Sequence, residues 1–156
     1  MGIVYGDNQL FEDIRIGLYN QMNSLKTAMA GDSPRPLAVY DNHEILNPQY
    51  PSISVGVNAV DSEGGEHTAL DVSSHQDYVF KAEIRVHMQY EEREFDEINC
   101  LRLLNSINNW IETHRTVLGD YIQVEGSEMN VKFAESFTIG GRLNLIVRKI
   151  TTHTQA

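Results

Sequence analysis

The chain has 156 residues, of which 41% are hydrophobic and 22% are charged, and its formal net charge is −10. These are the values of an ordinary globular domain, so we expect a single domain over residues 1–156 with one core that needs no disulfide or metal ion. Because the acidic chain has no clustered basic surface, its composition argues against a protein that grips the phosphate backbone of nucleic acid.

An amphipathic helix is predicted over residues 9–30. Its apolar residues recur every three or four positions, Asp7 or Asn8 is a candidate cap at its start, and Gly31 is a candidate terminator. A short apolar run at residues 37–40 follows two prolines. It predicts a brief strand at the edge of a sheet, where a proline removes no ladder hydrogen bond.

The middle of the chain alternates between strand patterns and irregular sequence. Residues 41–51 are predicted to be irregular, and period-two alternation predicts strands at residues 53–59 and 78–90. Between these strands, residues 61–77 are predicted to be a long flexible arm, since loops of this length are usually functional or disordered. The second strand is expected to present a solvated polar face, which is typical of an antiparallel sheet covered on one side. That polar face consists of Lys81, Glu83, Arg85, His87 and Gln89.

A second amphipathic helix and a final β region complete the pattern. The helix is predicted at residues 95–113, and three closing strands are predicted at residues 121–124, 131–139 and 143–150. Gly140-Gly141 between the last two strands is typical of a tight hairpin turn. Strands interrupted by helices without regular alternation favour an α+β fold, here a mainly antiparallel sheet packed against two amphipathic helices.

The chain contains one cysteine, Cys100, which cannot form an internal disulfide and therefore favours a reducing compartment. Cys100 lies in the second predicted helix without a basic neighbour, so we expect it to be a small buried hydrophobe. No apolar run approaches the roughly 18 residues of a membrane span, and residues 1–8 lack the basic start of a signal peptide. The expected protein is neither membrane-embedded nor exported through a standard signal.

His67, Asp71 and His75 are candidate metal ligands, because their spacing of four residues would align all three on one side of a helix. Gly64 and Gly65 argue against a helix there, and no second set of ligands accompanies the three. A solvated loop is therefore the favoured interpretation, and neither a metal nor a cofactor is predicted.

No catalytic residue is predicted either. A general base needs a neighbouring nucleophile or an orienting carboxylate, and the sequence indicates neither beside His87 or His114. Both are interpreted as surface histidines, with His114 at the end of the second helix, where the helix dipole would favour its charge.

Charge distribution is the feature with a specific functional interpretation. The polar arm, the mixed-charge strand and a basic closing strand occur on an otherwise acidic chain. Patches of opposite charge on one molecule suit a head-to-tail ring, in which one surface of a subunit binds a different surface of the next copy. Ordinary solvated strands are an equally good explanation from charge alone.

The layout resembles the tail terminator, or tail-completion, proteins of long-tailed bacteriophages and their neck-protein relatives. The resemblance covers most of the chain. It rests on the two helices, the strand opened by Pro51-Ser-Ile-Ser-Val, the arm, the strand at 78–90 and the closing Gly-Gly-Arg-Leu-Asn-Leu-Ile-Val. It implies a structural virion protein without enzymatic activity or cofactors. Such a protein forms a hexameric ring at the head-proximal end of the tail tube, terminates tube polymerisation and joins the tail to the head.

The resemblance also implies partners, a location and contact residues. The partners are further copies of the chain, the tail tube protein, the head-tail connector or neck proteins, and the sheath if the tail is contractile. Assembly takes place in the host cytoplasm, and the ring lies at the tail-head junction of the virion without contacting a membrane. DNA would pass through the lumen without specific binding, because six copies of this chain carry a charge of −60. The expected contacts are Glu63, Glu66, His67, Asp71, His75, Arg142, Arg148 and Lys149.

Three alternatives stay open. Residues 41–77 hold more irregular sequence than a minimal terminator needs, which leaves room for a head-tail connector or another neck component. A small enzyme would assemble its site from Glu83, His87 and residues distant in sequence. A cytoplasmic ligand-binding or regulatory module would be a monomer or dimer that binds a small molecule.

Overall fold

The fold is a five-stranded sheet with two helices packed on one face. The computed structural model describes residues 6–29, 37–45, 49–63, 73–88, 93–114, 121–133 and 138–154. In chain order the elements are α1 (Gly6–Ala28), β1 (Ala38–Tyr40), β2 (Ser52–Glu63), β3 (Ser73–Met88), α2 (Arg93–Thr113), β4 (Tyr121–Phe133) and β5 (Thr138–Thr154).

The strand order in the sheet is β1-β2-β3-β5-β4. β1 runs parallel to β2, and every other neighbouring pair is antiparallel. The prediction of an α+β fold with a mainly antiparallel sheet is confirmed, as is the edge position of β1. Neither helix among the described residues is long and apolar enough to cross a membrane.

One hydrophobic core joins the two helices to one face of the sheet, which we call the covered face. α1 contributes the predicted stripe, and the covered face contributes alternate residues of the central strands, as expected for apolar side chains spaced by two in a strand. The buried members on the sheet include Ile53, Val55, Phe80, Ala82, Ile84, Val86, Leu143, Leu145 and Val147. The opposite face, which carries the other alternate residues, is called the open face.

The apolar stripe of α2 differs from the predicted one at its start. Ile98 and Leu101 were expected in the stripe, but their exposed fractions are 51% and 48%. From residue 97 onwards, where burial is described, the buried stripe consists of Cys100, which is fully buried as predicted, followed by Leu103, Leu104, Ile107 and Ile111. Periodicity alone cannot fix the phase of a helix whose apolar residues lie on adjoining sides.

The arm predicted at residues 61–77 is shorter than expected, because both flanking strands continue into it. β2 extends to Glu63, which lies opposite Asp77, and β3 begins at Ser73 against β5. These ends are polar, so apolar alternation gave no sign of them. Backbone hydrogen bonds to neighbouring strands hold such segments independently of side-chain polarity. The remaining part of the arm, residues 64–72, lies outside the described residues.

The hairpin predicted at Gly140-Gly141 is wrong. Both glycines lie inside β5, and the three predicted closing strands are two, because residues 121–133 form one long strand. The glycines are required for close packing: a Cβ on Gly140 would overlap the carbonyl oxygen of Val86, and one on Gly141 would overlap the side chain of Leu104.

The observed helix boundaries differ from the predicted ones by a few residues. α1 begins at Gly6, so Asp7 and Asn8 lie within its first turn and the prediction that either caps it is wrong. α2 begins at Arg93 and ends at Thr113, as predicted at its C-terminal end. Helix ends are the least determined part of a periodic pattern, because the terminal turn depends on hydrogen bonds outside the helix.

Candidate functional site on the open face

The open face is built from side chains of β3 and β5 that lie directly opposite one another. Five successive rows are Val79 with Arg148, Lys81 with Ile146, Glu83 with Asn144, Arg85 with Arg142, and His87 with Gly140. Four of these ten residues are basic and one is acidic, although the whole chain has a net charge of −10. These ten positions of β3 and β5 are therefore a basic region of an acidic protein, flanked by Asp61 of β2 opposite Val79 and by Glu128 of β4 opposite Arg142.

A buried carboxylate lies at the centre of the open face. Glu83 has an exposed fraction of 5%. Its Oε1 accepts a hydrogen bond from Arg85 Nε at 2.8 Å and lies 3.8 Å from Arg142 Nη1, while Oε2 accepts a hydrogen bond from Asn58 Nδ2 at 3.2 Å. Burial opposes ionisation, but the hydrogen bond and charge of Arg85, with smaller contributions from His43 and Asn58, outweigh it and hold the pKa of Glu83 below its ordinary value.

The two arginines beside Glu83 are themselves held in place. Arg142 Nη2 donates to Glu128 Oε2 on β4 at 2.8 Å, and this ion pair raises the pKa of Arg142. The guanidinium of Arg85 lies 4.8 Å from the ring centre of Phe133, close enough for a cation-π contact. Both arginines are thus parts of a fixed network that spans β3, β5 and β4.

A second buried polar group links three residues across β2 and β3. Ser54 Oγ lies 2.7 Å from His43 Nδ1 and 2.7 Å from His87 Nε2, and both Ser54 and His87 are fully buried. A hydroxyl group donates only one hydrogen, so the serine donates to at most one of the two rings. The His87 ring also packs against Phe133, with ring centres 5.0 Å apart.

Small residues on β2 make room for this group. A Cβ added to Gly56 would lie 2.6 Å from His43 Nε2, so the histidine ring lies directly over the glycine. Asp41, two residues before His43, forms an ion pair of 3.3 Å with Arg15 on α1. The segment after β1 therefore passes round the edge of the sheet, from the helix layer to the open face.

Ser54 and Cys100 are buried side chains with nucleophilic chemistry. Ser54 beside His87 has the pairing that a serine nucleophile requires, but a fully buried hydroxyl cannot reach a substrate in this conformation. Cys100 is buried in the core, and burial raises the pKa of its thiol to about 12, so it is protonated at neutral pH. In this conformation both residues serve packing and hydrogen bonding.

The predicted contacts in the arm are only partly placed. Glu63 lies at the end of β2 opposite Asp77, and the backbone of His75 lies in β3 opposite Thr152. The prediction that both belong to a loop is wrong, because they belong to paired strands. Among the residues that the structure describes, no group of three potential metal ligands occurs. Three other predicted contacts lie outside the described residues: Glu66, His67 and Asp71.

The predicted basic contacts of the closing strand all lie in β5. Arg148 is exposed on the open face, opposite Val79. Arg142 is partly buried in the ion pairs with Glu83 and Glu128, so it holds the network together within the subunit. Lys149 lies opposite Tyr78 in the backbone register. Of the three, Arg148 is the one that the structure describes as exposed.

The group of His43, Ser54 and His87 was missed by the sequence reasoning, and the prediction of a surface position for His87 is wrong. The polar face of one strand looks solvated when it is viewed alone, whereas the His87 ring packs against Phe133 of β4 and forms a hydrogen bond with Ser54 of β2. One signal was available: small residues at positions 52, 54 and 56 share one face of β2 and leave space above it. Comparison with protein-family models and with curated protein sequences gave no match.

Proposed function

We propose that this protein is a structural subunit of a ring at the head-proximal end of a phage tail tube, where it terminates tube polymerisation and joins the tail to the head or neck. The observation that carries the proposal is a polar extension of the sheet, formed by strand ends whose backbones are paired. β3 begins at Ser73, and its residues up to Asp77 are all polar or charged. The six residues before Val79 span about 20 Å at the usual rise of a strand.

This extension consists of three paired strands. Glu63 lies opposite Asp77, and Ser73 lies opposite Thr154, so β2, β3 and β5 all contribute to it. Residues 61–63, 73–77 and 151–154 are all polar or charged. A ribbon that is polar on both faces cannot form a core of its own, but it has edge and side-chain groups with which to bind another protein. Paired polar strand ends that can bind another protein support an assembly role better than the free loop expected from the sequence.

The alternative of a small enzyme receives less support from the described residues. Glu83 is ionised and held by two arginines, and His87 is fully buried. A general base has to reach a substrate proton, and neither group is available to do so in this conformation.

The mass of the purified protein in solution, measured by light scattering with and without tail tubes of the same phage, tests the proposal. We expect a ring of about six subunits, or a monomer that forms one on tube ends. A stable monomer or dimer that ignores the tubes would contradict the proposal and favour the regulatory module.

Shortening the extension tests its role directly. Residues 64–76 are replaced by Asn-Gly, which joins the opposed residues Glu63 and Asp77 through a two-residue turn. We expect an unchanged circular dichroism spectrum and loss of tube capping. In a second variant, residues 64–72 are replaced by a Gly/Ser segment of equal length. It shows whether capping depends on the length of this segment or on its sequence. Full capping by the shortened protein would exclude the extension as the tube-binding element.

A further inference from the structure

One end of the open face combines basic and apolar side chains. Lys81 and Arg148 are exposed there, and they lie diagonally across β3 and β5 with Val79 and Ile146 beside them. Diagonal neighbours on a sheet are close enough for long side chains to act on one partner. We call these four residues the basic end.

The start of α2 has the complementary character. Ile98 and Leu101 are three residues apart and therefore lie on the same side of the helix, where about half of each side chain is exposed. The surrounding sequence contains Glu94, Asp96 and Glu97. We call this segment, residues 94–101, the acidic start.

We infer that the basic end of one subunit binds the acidic start of a second copy of this chain. The inference rests on the proposed ring and specifies its subunit contact. α2 packs on the covered face, whereas the basic end lies on the open face, so the sheet separates the two surfaces within one subunit. They can therefore meet only between neighbours. A contact between two different surfaces of identical subunits is the kind that closes into a ring.

Charge and apolar area both favour this pairing over a contact between two like surfaces. Two basic ends would bring Lys81 and Arg148 against their own copies, and two acidic starts would bring carboxylates together. The mixed pairing brings Lys81 and Arg148 against carboxylates of the acidic start and covers Ile98 and Leu101. A stable contact buries about 1,000 Å² in total, so residues that flank these surfaces must take part as well.

Disulfide cross-linking between separately purified variants tests the contact. Lys81→Cys and Ile98→Cys are mixed under the conditions in which the wild type assembles, and then oxidised. We expect a cross-link only in the mixture, because each variant alone has the introduced cysteine on only one of the two surfaces that meet. The native Cys100 does not interfere, since it is buried and its pKa is raised to about 12.

Ile16→Cys is the matched control, because Ile16 is an apolar residue of α1 with a similar exposed fraction of 44%. It should give no cross-link with Lys81→Cys. Equal cross-linking of Ile16→Cys, or cross-linking of Ile98→Cys to itself, would overturn the inference. If the wild type forms rings but the variants give no cross-link, the inference is wrong and the proposed function still stands. If the wild type forms no ring even in the presence of tubes, the proposed function is wrong as well.

A charge exchange provides an independent readout. Lys81→Glu with Arg148→Glu should raise the subunit concentration needed for half-assembly about ten-fold or more, and Glu94→Lys with Glu97→Lys should do the same. A chain carrying all four changes should regain assembly. Because lysines near the start of a helix also weaken it, thermal unfolding of each variant is measured in parallel. Failure of the fourfold variant to recover, with its fold intact, would count against the pairing.

Discussion

The two faces of the sheet reach similar burial by different means. On the covered face, two helices supply apolar side chains that exclude water from Ile84 and Leu145. On the open face, Glu83 and His87 are nearly as inaccessible, yet what covers them is a network of arginine, histidine and aromatic side chains. A charged face is therefore not necessarily a solvated face, because long side chains can cover the groups beneath them.

The difference has an energetic consequence. Apolar burial on the covered face is non-directional, so conservative changes of shape there are tolerated. Each polar group on the open face depends on particular partners, and removing one partner leaves another buried group without its hydrogen bond. Substitutions should therefore have graded effects on the covered face and partner-specific effects on the open face.

The largest effect is expected where the open face leaves no space for a side chain. Gly140→Ala would force a methyl group against the carbonyl oxygen of Val86 in the centre of the sheet. We expect a loss of at least about 4 kcal/mol in the free energy of unfolding, measured in urea. Gly126→Ala on β4 is the control, because nothing lies within 4 Å of its added Cβ. Similar stability of the two variants would show that the sheet yields at Gly140.

An intermediate effect is expected for Glu83→Gln, which keeps the shape but removes the charge between Arg85 and Arg142. We expect a loss of about 2 kcal/mol at neutral pH, since hydrogen bonds to charged groups contribute about 1.5–3 kcal/mol each and the carboxylate lies beside two arginines. Urea unfolding of both proteins checks the value. A more stable variant would show that desolvation of the carboxylate outweighs its ion pairs.

The same pair of proteins gives a pH test. The pKa of Glu83 is lower in the folded protein than the ordinary value of 4.5, so its contribution is complete above pH 4.5 and is lost as the pH falls through the folded value. The stability gap between the wild type and Glu83→Gln should therefore narrow when urea unfolding is repeated from about pH 6 down to about pH 3. A stability difference that grows as the pH falls would contradict a lowered pKa of Glu83 in the folded protein.

The smallest effect is expected for Gly56→Ala. Its methyl group meets the end of the His43 side chain, which can rotate away at the cost of its hydrogen bond to Ser54. We expect a cost of about 1 kcal/mol, the usual net worth of one hydrogen bond. Imidazole resonances in NMR spectra should shift for His43 and change less for His87. Large losses of stability would show that His43 holds the open face together.

Much of the fold was predictable because it depends on local patterns. The stripe of α1 and the alternation in β3 follow from periodicities that a single element imposes on its own residues. The polar ends of β2 and β3 were not predictable, because they are held by strands distant in sequence. Gly140 was mispredicted for the same reason. Two adjacent glycines in a sequence indicate a turn, whereas here Gly140 is needed because the backbone of Val86 in β3 leaves no room for a Cβ.

The sequence by itself determined the fold class, the helix-covered core and the burial of Cys100, since each follows from hydrophobic spacing within one segment. Only the tertiary structure decided which polar groups are buried. Ser54 and His87 are 33 residues apart, and His43 lies in an irregular segment, so their meeting depends on strand register and on the path of the chain round the sheet edge. The periodicity of apolar residues shows which side of a helix or strand faces the core. The side chains that bury the opposite side come from distant parts of the sequence, so periodicity does not predict them.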